Sequence, residues 1–510
     1  MLNYIIKLYK QLKTLYYIKK YIDDSFDNSK SLNLQLESFE LLKQLIFNSG
    51  SLYIKLFQWY ISKLKSTIIN VDSLDTIHIQ KFINYFEDIF EQCPYHNLEH
   101  TKKIFKESTY GIALEDYVDI NTLKPIASGS IGQVYYGVRL KDGIEVAIKV
   151  KHPNIESDLE NQYELIKLFK FIQSIKYLRE TYNLLFNIDD FLEDINLQCD
   201  FNNEANNTKT FIENFKDSSK YIIFPEPLYQ SNDVLISRYI EGNSLDTLND
   251  MQKYQTSLNF FCFFQQMLFV DNFIHGDLHC KNWKVRYDEN KKITQIIIYD
   301  CGICFKNISS VSTSSFWLAL VNFDIDNLLI LLKIFIKESN NINIYNNNSN
   351  STIKNVINDD TFTNEKFDTG VKLIFKDIVN QSMGTSIIMK SILNLFRTNK
   401  IIVNKFLLNF TILLCVIEEY MKSNNIINKK MNKDVSMFDI INDSQLDIIA
   451  FCDIKECYPK VKNILETHMV NNFKNYKSNI KNNNIENNNN ENKKLFSSIS
   501  LSQLTFKSPE

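Results

Sequence analysis

Three polar side chains in the second half of the chain have the types and the spacing that phosphoryl transfer requires. Asp277 and Asn282 stand at the D-x-x-x-x-N spacing, in which the aspartate orients a hydroxyl group or a water and the asparagine holds a metal ion. Asp300 follows the apolar run 295–299, which predicts a buried strand, and it precedes Gly302. We therefore predict that Asp277 is catalytic and that Asn282 and Asp300 bind Mg²⁺.

A lysine in the first half of the chain has the surroundings of a phosphate-binding group. Lys149 closes the segment Val-Ala-Ile-Lys, whose alternation predicts a strand with Lys149 and Ala147 on one face. A buried ammonium group needs an anionic partner, and the predicted helical stretch 189–215 carries two candidates. Glu204 is the first choice and Asp200 is the second.

Small residues between two predicted strands form another part of this nucleotide site. Without bulky side chains, backbone N–H groups can approach phosphate oxygens. Further along, residues 235–245 predict a strand that runs into a hinge between two lobes, and we assign Tyr239 to the adenine side of the site. The predicted nucleotide-loop residues are Ala127, Ser128, Gly129, Ser130, Ile131 and Gly132.

The composition limits the number of domains and the kinds of partner. With 510 residues, of which 44% are hydrophobic, the chain can form a large two-lobed domain with extensions. The net charge of −3 provides no basic footprint, so nucleic acid is excluded as a main partner. The apolar segments 316–336 and 406–417 are interrupted by charge or too short, and we predict no transmembrane helix.

Nine cysteines lie scattered through apolar or motif segments, which favours reduced thiols over a disulfide framework. Cys301 and Cys304 have C-x-x-C spacing, and together with His279 and Cys280 they can be drawn as a metal cluster. No second pair of ligands accompanies them at regular spacing. A structural zinc site is therefore disfavoured.

The first 22 residues predict a basic amphipathic helix with no acidic residue before Asp23. Two interpretations stay open: a mitochondrial presequence, although this helix has no arginine, and an ordinary basic surface helix. A helical period continues over residues 32–89. Within it Lys55 and Gln58 lie three positions apart and share one helix face.

These motifs occur together in one known family. The chain resembles the UbiB family of atypical kinases, also called ADCK or AarF-domain kinases, over residues 50–335 and more loosely to about 470. Lys55 and Gln58 match the family's K-x-G-Q motif, and residues 275–282 match its H-G-D-L-H followed by N. The remaining matches are 127–133 for the alanine-rich nucleotide loop, 146–149, 200–207 and 318–326.

The resemblance implies an α+β, protein-kinase-like two-lobed fold with a helical N-terminal extension and a mostly helical large lobe. It implies ATP and Mg²⁺ as cofactors, an ATPase or a small-molecule or lipid kinase activity, and a helix with Lys55 and Gln58 across the pocket where a protein substrate would sit. The family is tied to coenzyme Q biosynthesis and lipid handling. The resemblance therefore also implies a mitochondrial location, a lipid or quinone-pathway complex and contact with a membrane surface.

The chain departs from the family pattern at several positions. Phe57 replaces the glycine of K-x-G-Q, Gly129 stands where the family prefers alanine, Gln198 replaces a glutamate, and Cys301 replaces the phenylalanine of D-F-G. The charged and metal-binding residues remain, which favours an active enzyme over a pseudokinase scaffold. A conventional Ser/Thr protein kinase is the other alternative, and the lack of an Ala-Pro-Glu motif argues against it.

The expected organisation has four parts. A helical extension occupies residues 1–115, and a small nucleotide-binding lobe occupies 116–245. A helical large lobe follows at 246–475, with an Asn-rich insertion near 340–360. The low-complexity segment 476–510 is predicted to be a disordered tail.

Overall fold

A computed structural model describes residues 2–27, 29, 31–67, 74–86, 89, 93–158, 167, 188–279, 281–288, 293–307, 311, 313–321, 324–345, 364–381, 385–399, 401 and 403–423. The predicted tail, Cys280 and most of the predicted Asn-rich insertion lie outside these residues. The first positions of that insertion, 340–345, continue a helix instead of forming a loop.

Within the described residues, four helices come first in the chain, in the region where the sequence predicts helical structure. Apolar side chains on their facing sides form one cluster, which includes Phe39, Ile46, Phe57 and Phe82. Gly50 separates the second helix from the third at a φ of +97°, a conformation that glycine adopts without strain. The helices are α1 (Leu2–Phe26), α2 (Leu32–Asn48), α3 (Ser51–Thr67) and α4 (Leu74–Tyr85).

A five-stranded antiparallel sheet forms the small lobe, with the strand order β1-β2-β3-β6-β5. Alternate residues of β3, among them Val146 and Ile148, are fully buried and pack against Phe105 from a neighbouring helix. Lys149 and Ala147 lie on the opposite face, as predicted. The elements are α5 (Leu98–Ser108), α6 (Leu114–Tyr117), β1 (Lys124–Ser128), β2 (Gly132–Val138), β3 (Glu145–Lys151), β5 (Pro227–Gln230) and β6 (Val234–Arg238).

Two helices, α7 (Ile188–Cys199) and α8 (Phe201–Asn214), pack against this sheet. The single helical stretch expected over 189–215 is therefore wrong in one respect, because the chain breaks at Asp200. The Asp200 carboxylate accepts a hydrogen bond from the backbone N–H of Asn202 at 3.0 Å and caps α8. Phe201 then packs in a cluster with Leu52 of α3.

The large lobe is mostly helical and contains the largest buried cluster, in which Phe260, Phe264 and Phe410 take part. A wider π-helical turn at Gln266–Val270 extends its first helix towards the segment of Asp277. The helices are α9 (Asp250–Gln265), α10 (Thr313–Val321), α11 (Ile325–Tyr345), α12 (Asn364–Gln381), α13 (Thr385–Thr398) and α14 (Lys405–Ser423). Short strands accompany them: β4 (Ile222–Ile223), β7 (Ile274–His275), β8 (Trp283–Asp288), β9 (Ile293–Ile298) and β10 (Cys304–Phe305).

The architecture is the α+β, two-lobed, kinase-like fold that the family resemblance implies. Strands β4, β9 and β8 form a small sheet under the small lobe, and β10 pairs with β7. Within the described part of the chain, no helix has both the length and the apolar character needed to cross a bilayer.

Candidate functional site

An ammonium group from the small lobe meets two carboxylates between the lobes. Lys149 Nζ donates to Glu204 Oε2 at 2.6 Å and to Asp300 Oδ2 at 3.3 Å. The side chains of Lys149 and Glu204 are 16% and 9% exposed, whereas that of Asp300 is 45% exposed. The buried pair thus leaves one carboxylate facing the opening between the lobes.

The sequence identified the partner of Lys149 by its chemistry. Glu204 lies in the first turn of α8, one turn beyond the Asp200 cap, and points at β3. The second choice, Asp200, is wrong as the partner because its carboxylate is used at the helix N-terminus. Lys149 Nζ also lies 5.1 Å from the ring centroid of Phe201, which adds a cation–π contact.

The β8–β9 hairpin brings the predicted metal ligands together. Asn282 precedes β8 and Asp300 follows β9, and the backbone N–H of Tyr299 donates to the Asn282 carbonyl at 2.8 Å. Asn282 Nδ2 donates to the Asp277 carbonyl at 2.7 Å, so the amide side chain is fixed by the loop that carries Asp277. Its side-chain oxygen remains a potential metal ligand.

His275 braces both segments through backbone groups. Its Nε2 lies 3.0 Å from the Asp300 carbonyl, and its Nδ1 accepts a hydrogen bond from the Asp277 N–H at 3.2 Å. His279 Nε2 lies 3.9 Å from Asp277 Oδ2. His275 therefore holds the backbone of Asp277, and His279 lies beside the Asp277 carboxylate.

The turn after β9 has an unusual backbone. Asp300 has a φ of +32°, a region that side chains other than glycine rarely occupy. The strain is held by three contacts: the Gly302 N–H donates to Asp300 Oδ1 at 3.1 Å, Asn207 Nδ2 donates to the Cys301 carbonyl at 2.9 Å, and His275 holds the Asp300 carbonyl. This conformation turns the carboxylate towards Lys149.

Charge decides which groups of the site are ionised. Burial raises the pKa of Asp300, but the ammonium groups of Lys149 and Lys55 outweigh it and hold that pKa below its usual range. Burial also raises the pKa of Glu204, and Lys149 offsets only part of that effect. For Lys149 burial works to lower the pKa, but Asp300 and Glu204 raise it above its usual value. Lys149 therefore stays cationic and Asp300 stays anionic at neutral pH.

The predicted nucleotide loop is tightly packed and lies where β1 turns into β2. Ser128, Ser130 and Ile131 are buried, and the Gly129 N–H donates to the Gly132 carbonyl at 3.0 Å. A Cβ atom at Gly132 would lie 2.9 Å from the Phe201 ring and 3.0 Å from the Val150 carbonyl oxygen. Glycine is therefore required at 132 by close approach. Ala127 lies in β1 next to this turn.

Helix α3 touches the loop and the opening of the site with one face. Gln58 is buried, donates to the Ile89 carbonyl at 2.8 Å and accepts from Ser130 Oγ at 3.5 Å. Lys55 lies near enough to Asp300 and His279 for its charge to lower the pKa of both groups. The two residues that share a helix face in the sequence thus face the same site.

Phe57, which replaces the glycine of K-x-G-Q, does not crowd the nucleotide loop. Its ring packs into the cluster of the N-terminal helices, with centroids 4.8 Å from Phe86 and 5.9 Å from Phe82. The departure from K-x-G-Q is relieved because this side chain points away from Gln58 and its contact with Ser130.

Tyr239 lies just after β6, where the chain passes between the lobes. Its backbone N–H donates to the Glu145 carbonyl at 2.9 Å, and its ring forms an edge contact with Tyr136 at 4.8 Å between centroids. Tyr299 Oη donates to the Ile240 carbonyl at 3.0 Å and ties this hinge to the end of β9. The hinge therefore borders the site, and its role towards adenine stays a prediction.

The donor set suits Mg²⁺ better than zinc. Asn282 and Asp300 offer amide and carboxylate oxygens, the ligands that Mg²⁺ takes when phosphates and waters complete its shell. Over the described residues, no group of three or more His, Cys, Asp and Glu side chains is arranged to hold a metal ion. Cys304 Sγ instead donates to the Cys301 carbonyl at 3.3 Å.

Sequence reasoning missed two histidines beside the nucleotide loop. His152 Nε2 lies 2.9 Å from the Gly129 carbonyl oxygen, and His96 Nδ1 lies 2.7 Å from His152 Nδ1. Their 56-residue separation gives no spacing signal. The one available hint is that His152 stands three positions after Lys149, at the end of the same strand.

Comparison with known proteins agrees with this geometry. Residues 88–331, slightly less than half of the chain, match the family model of the ABC1 atypical kinase-like domain. The chain is 30% identical over 267 residues to a Dictyostelium discoideum protein named "Probable serine/threonine-protein kinase abkC". It is 27% identical over 287 residues to a mitochondrial ABC1 family protein of Saccharomyces cerevisiae. Each match covers 51% of this chain, but 36% and 41% of those relatives, so the chain spans less than half of their length.

Among solved structures, the Mycobacterium tuberculosis Rv3197–erythromycin complex matches with 18% identity and a TM-score of 0.36. That match covers 48% of this chain and 60% of the other. At this distance the superposition assigns nothing further.

The two lobes, the Lys149–Glu204 pair and the loop of Asp277 define an atypical kinase-like domain. The family comparison is more specific: residues 88–331 match the ABC1 atypical kinase-like domain, and the relatives of this chain include proteins named AarF domain-containing protein kinase.

Proposed function

We propose that this protein is an ATP-dependent phosphotransferase or ATPase of the atypical kinase class that uses Mg²⁺. The observation that carries the proposal is the contact of one ammonium group, Lys149, with both Glu204 at 2.6 Å and Asp300 at 3.3 Å. An ammonium held by a helix carboxylate beside an exposed aspartate is the arrangement that kinases use to align phosphates and metal.

Each residue of the site has a distinct role in this proposal. Lys149, fixed by Glu204, orients the α- and β-phosphates, and Asp277 aligns the attacking hydroxyl group or water. Asn282 and Asp300 hold Mg²⁺, which when bound neutralises charge on the phosphate oxygens. The nucleotide loop 127–132 approaches the phosphates through its backbone.

Helix α3 supports a small or lipid acceptor over a protein substrate. Lys55 and Gln58 direct polar groups at the site from a helix that packs on both lobes. In this proposal, that helix covers the side from which a protein substrate would approach Asp277. We assign Lys55 to the reacting phosphates and Gln58 to the support of the nucleotide loop.

The proposal extends to a lipid or coenzyme Q-related pathway in mitochondria and to contact with a membrane surface. The name of the yeast relative supports the location. Helix α1 supports the membrane contact, because it exposes apolar side chains alongside lysines and has no acid before Asp23. The exposed apolar residues are Ile6, Tyr9, Leu12 and Tyr16.

ATP binding and ADP release by the purified protein test the activity. Wild-type protein with Mg²⁺ should bind and turn over ATP, and Asp300→Asn should lower turnover by about 10²-fold or more, because a metal-binding charge is lost. Asp217→Asn is the matched control, since that carboxylate is exposed and is not one of the residues assigned to the site. Binding without turnover, unchanged by Asp300→Asn, would instead identify a pseudokinase scaffold.

A second experiment identifies the pathway. Quinone and lipid profiles of cells that lack the protein are compared with profiles of cells that carry Asp277→Ala. We expect the same lipid or quinone defect in both. A normal profile with Asp277→Ala would show that the pathway needs the protein but not its chemistry, and a peptide-library phosphorylation assay would reveal a protein kinase.

A further inference from the structure

A partly buried chain of hydrogen bonds leads from the small-lobe sheet to the nucleotide loop. His152 Nε2 meets the Gly129 carbonyl at 2.9 Å, and His152 Nδ1 meets His96 Nδ1 at 2.7 Å. His96 Nε2 continues to Thr101 Oγ1 at 2.8 Å, and Thr101 Oγ1 continues to Tyr135 Oη at 2.8 Å. Gln133 Nε2 donates to Tyr135 Oη at 2.7 Å and completes the chain.

The chemistry of the loop end fixes the first hydrogen atoms. The Gly129 carbonyl can only accept, so His152 Nε2 must carry hydrogen. In a neutral ring the Nδ1 atom of His152 is then an acceptor. His96 Nδ1 must therefore be the donor, and His96 Nε2 is left as an acceptor.

The sheet end requires the same direction. Gln133 Oε1 accepts from the backbone N–H of His96 at 2.8 Å, so the amide nitrogen of Gln133 is the donor to Tyr135. The Tyr135 hydroxyl then donates to Thr101, and the Thr101 hydroxyl donates to His96 Nε2. Both ends agree only when the two imidazoles are neutral and the tautomers are Nε2–H for His152 and Nδ1–H for His96.

His152 holds the loop at a second point as well. Its backbone N–H donates to the Ile131 carbonyl at 2.9 Å, while its ring holds Gly129 two positions earlier. Since each peptide unit turns as a plane, holding the Gly129 carbonyl also sets the direction of the Ser130 N–H.

We propose that His152 is a positioning residue that fixes the peptide planes of the nucleotide loop, and that His96 holds it in the required tautomer. This inference rests on the proposed ATP function, because the N–H groups that it positions are those that face phosphates. No substrate atom contacts either ring in the proposal.

The surroundings favour the neutral pair. Burial lowers the pKa of His96 to about 3, with help from His152 and His100, and burial lowers that of His152. The remaining groups near the pair are already matched: His100 Nε2 lies 3.0 Å from the Lys151 carbonyl, and Lys151 Nζ pairs with Asp233 at 2.5 Å and Glu156 at 3.0 Å. A protonated His152 would present two N–H groups to each other at 2.7 Å.

Three variants of the full chain test the proposal through ATP affinity, the apparent KM for ATP and kcat. His152→Phe keeps a ring but removes the donor to Gly129, and we expect about tenfold weaker ATP binding with a smaller effect on kcat. His152→Gln restores an N–H donor and should recover most of the affinity. His100→Phe is the matched control, because that ring contacts the Lys151 carbonyl and not the loop.

Hydrogen exchange of loop amides 128–132 without nucleotide separates this inference from the proposed function. Faster exchange in His152→Phe, with normal exchange in His100→Phe and a weaker ATP affinity, supports the proposal. Unchanged exchange or unchanged affinity in His152→Phe overturns it, as does an equal loss in His100→Phe. If wild-type protein binds no ATP, the proposed function fails. The inference that His152 positions groups for a nucleotide then fails with it. The exchange data still show whether His152 orders the loop.

Discussion

Two glycines of the nucleotide loop differ in the space around their Cα atoms, although they stand three positions apart. A Cβ at Gly129 would meet one atom, the Gly132 carbonyl oxygen, at 3.8 Å. A Cβ at Gly132 would lie 2.9 Å from Phe201 and 3.0 Å from a β3 carbonyl. We expect Gly132→Ala to lower the free energy of unfolding by about 1–3 kcal/mol through overpacking, whereas Gly129→Ala should be nearly neutral. Thermal and urea denaturation of the pair would measure this, and equal losses would contradict it.

The variant Glu204→Gln removes the negative charge that holds Lys149 but keeps a side chain of the same size. In Glu204→Gln the Lys149 ammonium keeps Asp300 as its charged partner, at 3.3 Å in the wild type, and is drawn away from the phosphate position. We expect kcat/KM for ATP to fall by roughly 10²-fold because the Lys149 ammonium group is misplaced. Steady-state ADP release is the measurement. Glu193→Gln is the control, because Glu193 pairs with Lys405 at 64% exposure, and the idea fails if both variants behave alike.

Residue chemistry explains what the sequence could predict of the site. A lysine in the middle of a strand needs an anionic partner when it is buried. This requirement identified Glu204, which lies 55 positions away in the sequence. Motif spacing also pointed to Asn282 and Asp300, which flank the β8–β9 hairpin, and their role as metal ligands stays a prediction. His96 and His152 could not be predicted, because their roles depend on tautomers and on a 2.7 Å contact that no spacing encodes. The φ of +32° at Asp300 could not be predicted from the sequence either, because contacts with distant segments hold this strained backbone.

At the scale of elements, the strands of the small lobe were predictable and the breaks between helices were not. Alternation in β3 placed Lys149 and Ala147 on one face correctly. The stretch 189–215 has no proline or glycine, so the break at Asp200 left no breaker signal. An aspartate in a polar run becomes a helix cap only when the helix start is known from tertiary packing.

The two faces of helix α3 make different contacts, and a substitution on one face tests whether they act separately. Phe57 packs with Phe82 and Phe86 in the N-terminal cluster, while Gln58 contacts Ile89 and Ser130. We expect Phe57→Ala to destabilise the α2–α4 packing by about 3–5 kcal/mol and to speed hydrogen exchange there. Exchange in β1–β3 should change much less. Tyr16→Ala, at a 64% exposed position of α1, is the control and should leave exchange unchanged.

At the scale of the whole molecule, the lobes are tied together at several separate places. Leu52 of α3 packs in the small-lobe cluster with Phe201, and the same helix contacts α13 and α14 of the large lobe. Lys405 of α14 pairs with Asp194 of α7 at 2.8 Å, and Lys149 reaches Asp300 across the site. Opening of the lobes therefore requires α3 to lose its contacts with one of them.

The pH dependence of the free energy of unfolding tests whether His96 and His152 are neutral in the folded protein. A histidine whose pKa is lower in the folded state than the unfolded value of 6.5 contributes stability above pH 6.5, and that contribution is lost as the pH falls towards the folded pKa. The loss approaches about 1.4 kcal/mol per pH unit for each such group. Glu204 acts in the opposite direction, because its pKa is raised in the folded state and protonation there favours folding.

A comparison of two proteins removes that opposing effect. The Glu204 contribution is shared by wild type and His152→Gln, whereas only wild type carries the imidazole at 152. We therefore expect the wild type to lose more unfolding free energy than His152→Gln between pH 7.5 and pH 5.5, because only the wild type carries an imidazole whose pKa is lowered on folding. Urea denaturation at pH 7.5, 6.5 and 5.5 gives the difference directly. Parallel pH profiles would mean that His152 protonates as freely when folded as when unfolded, and the hydrogen-bond direction inferred from Gly129 to Gln133 would then be wrong.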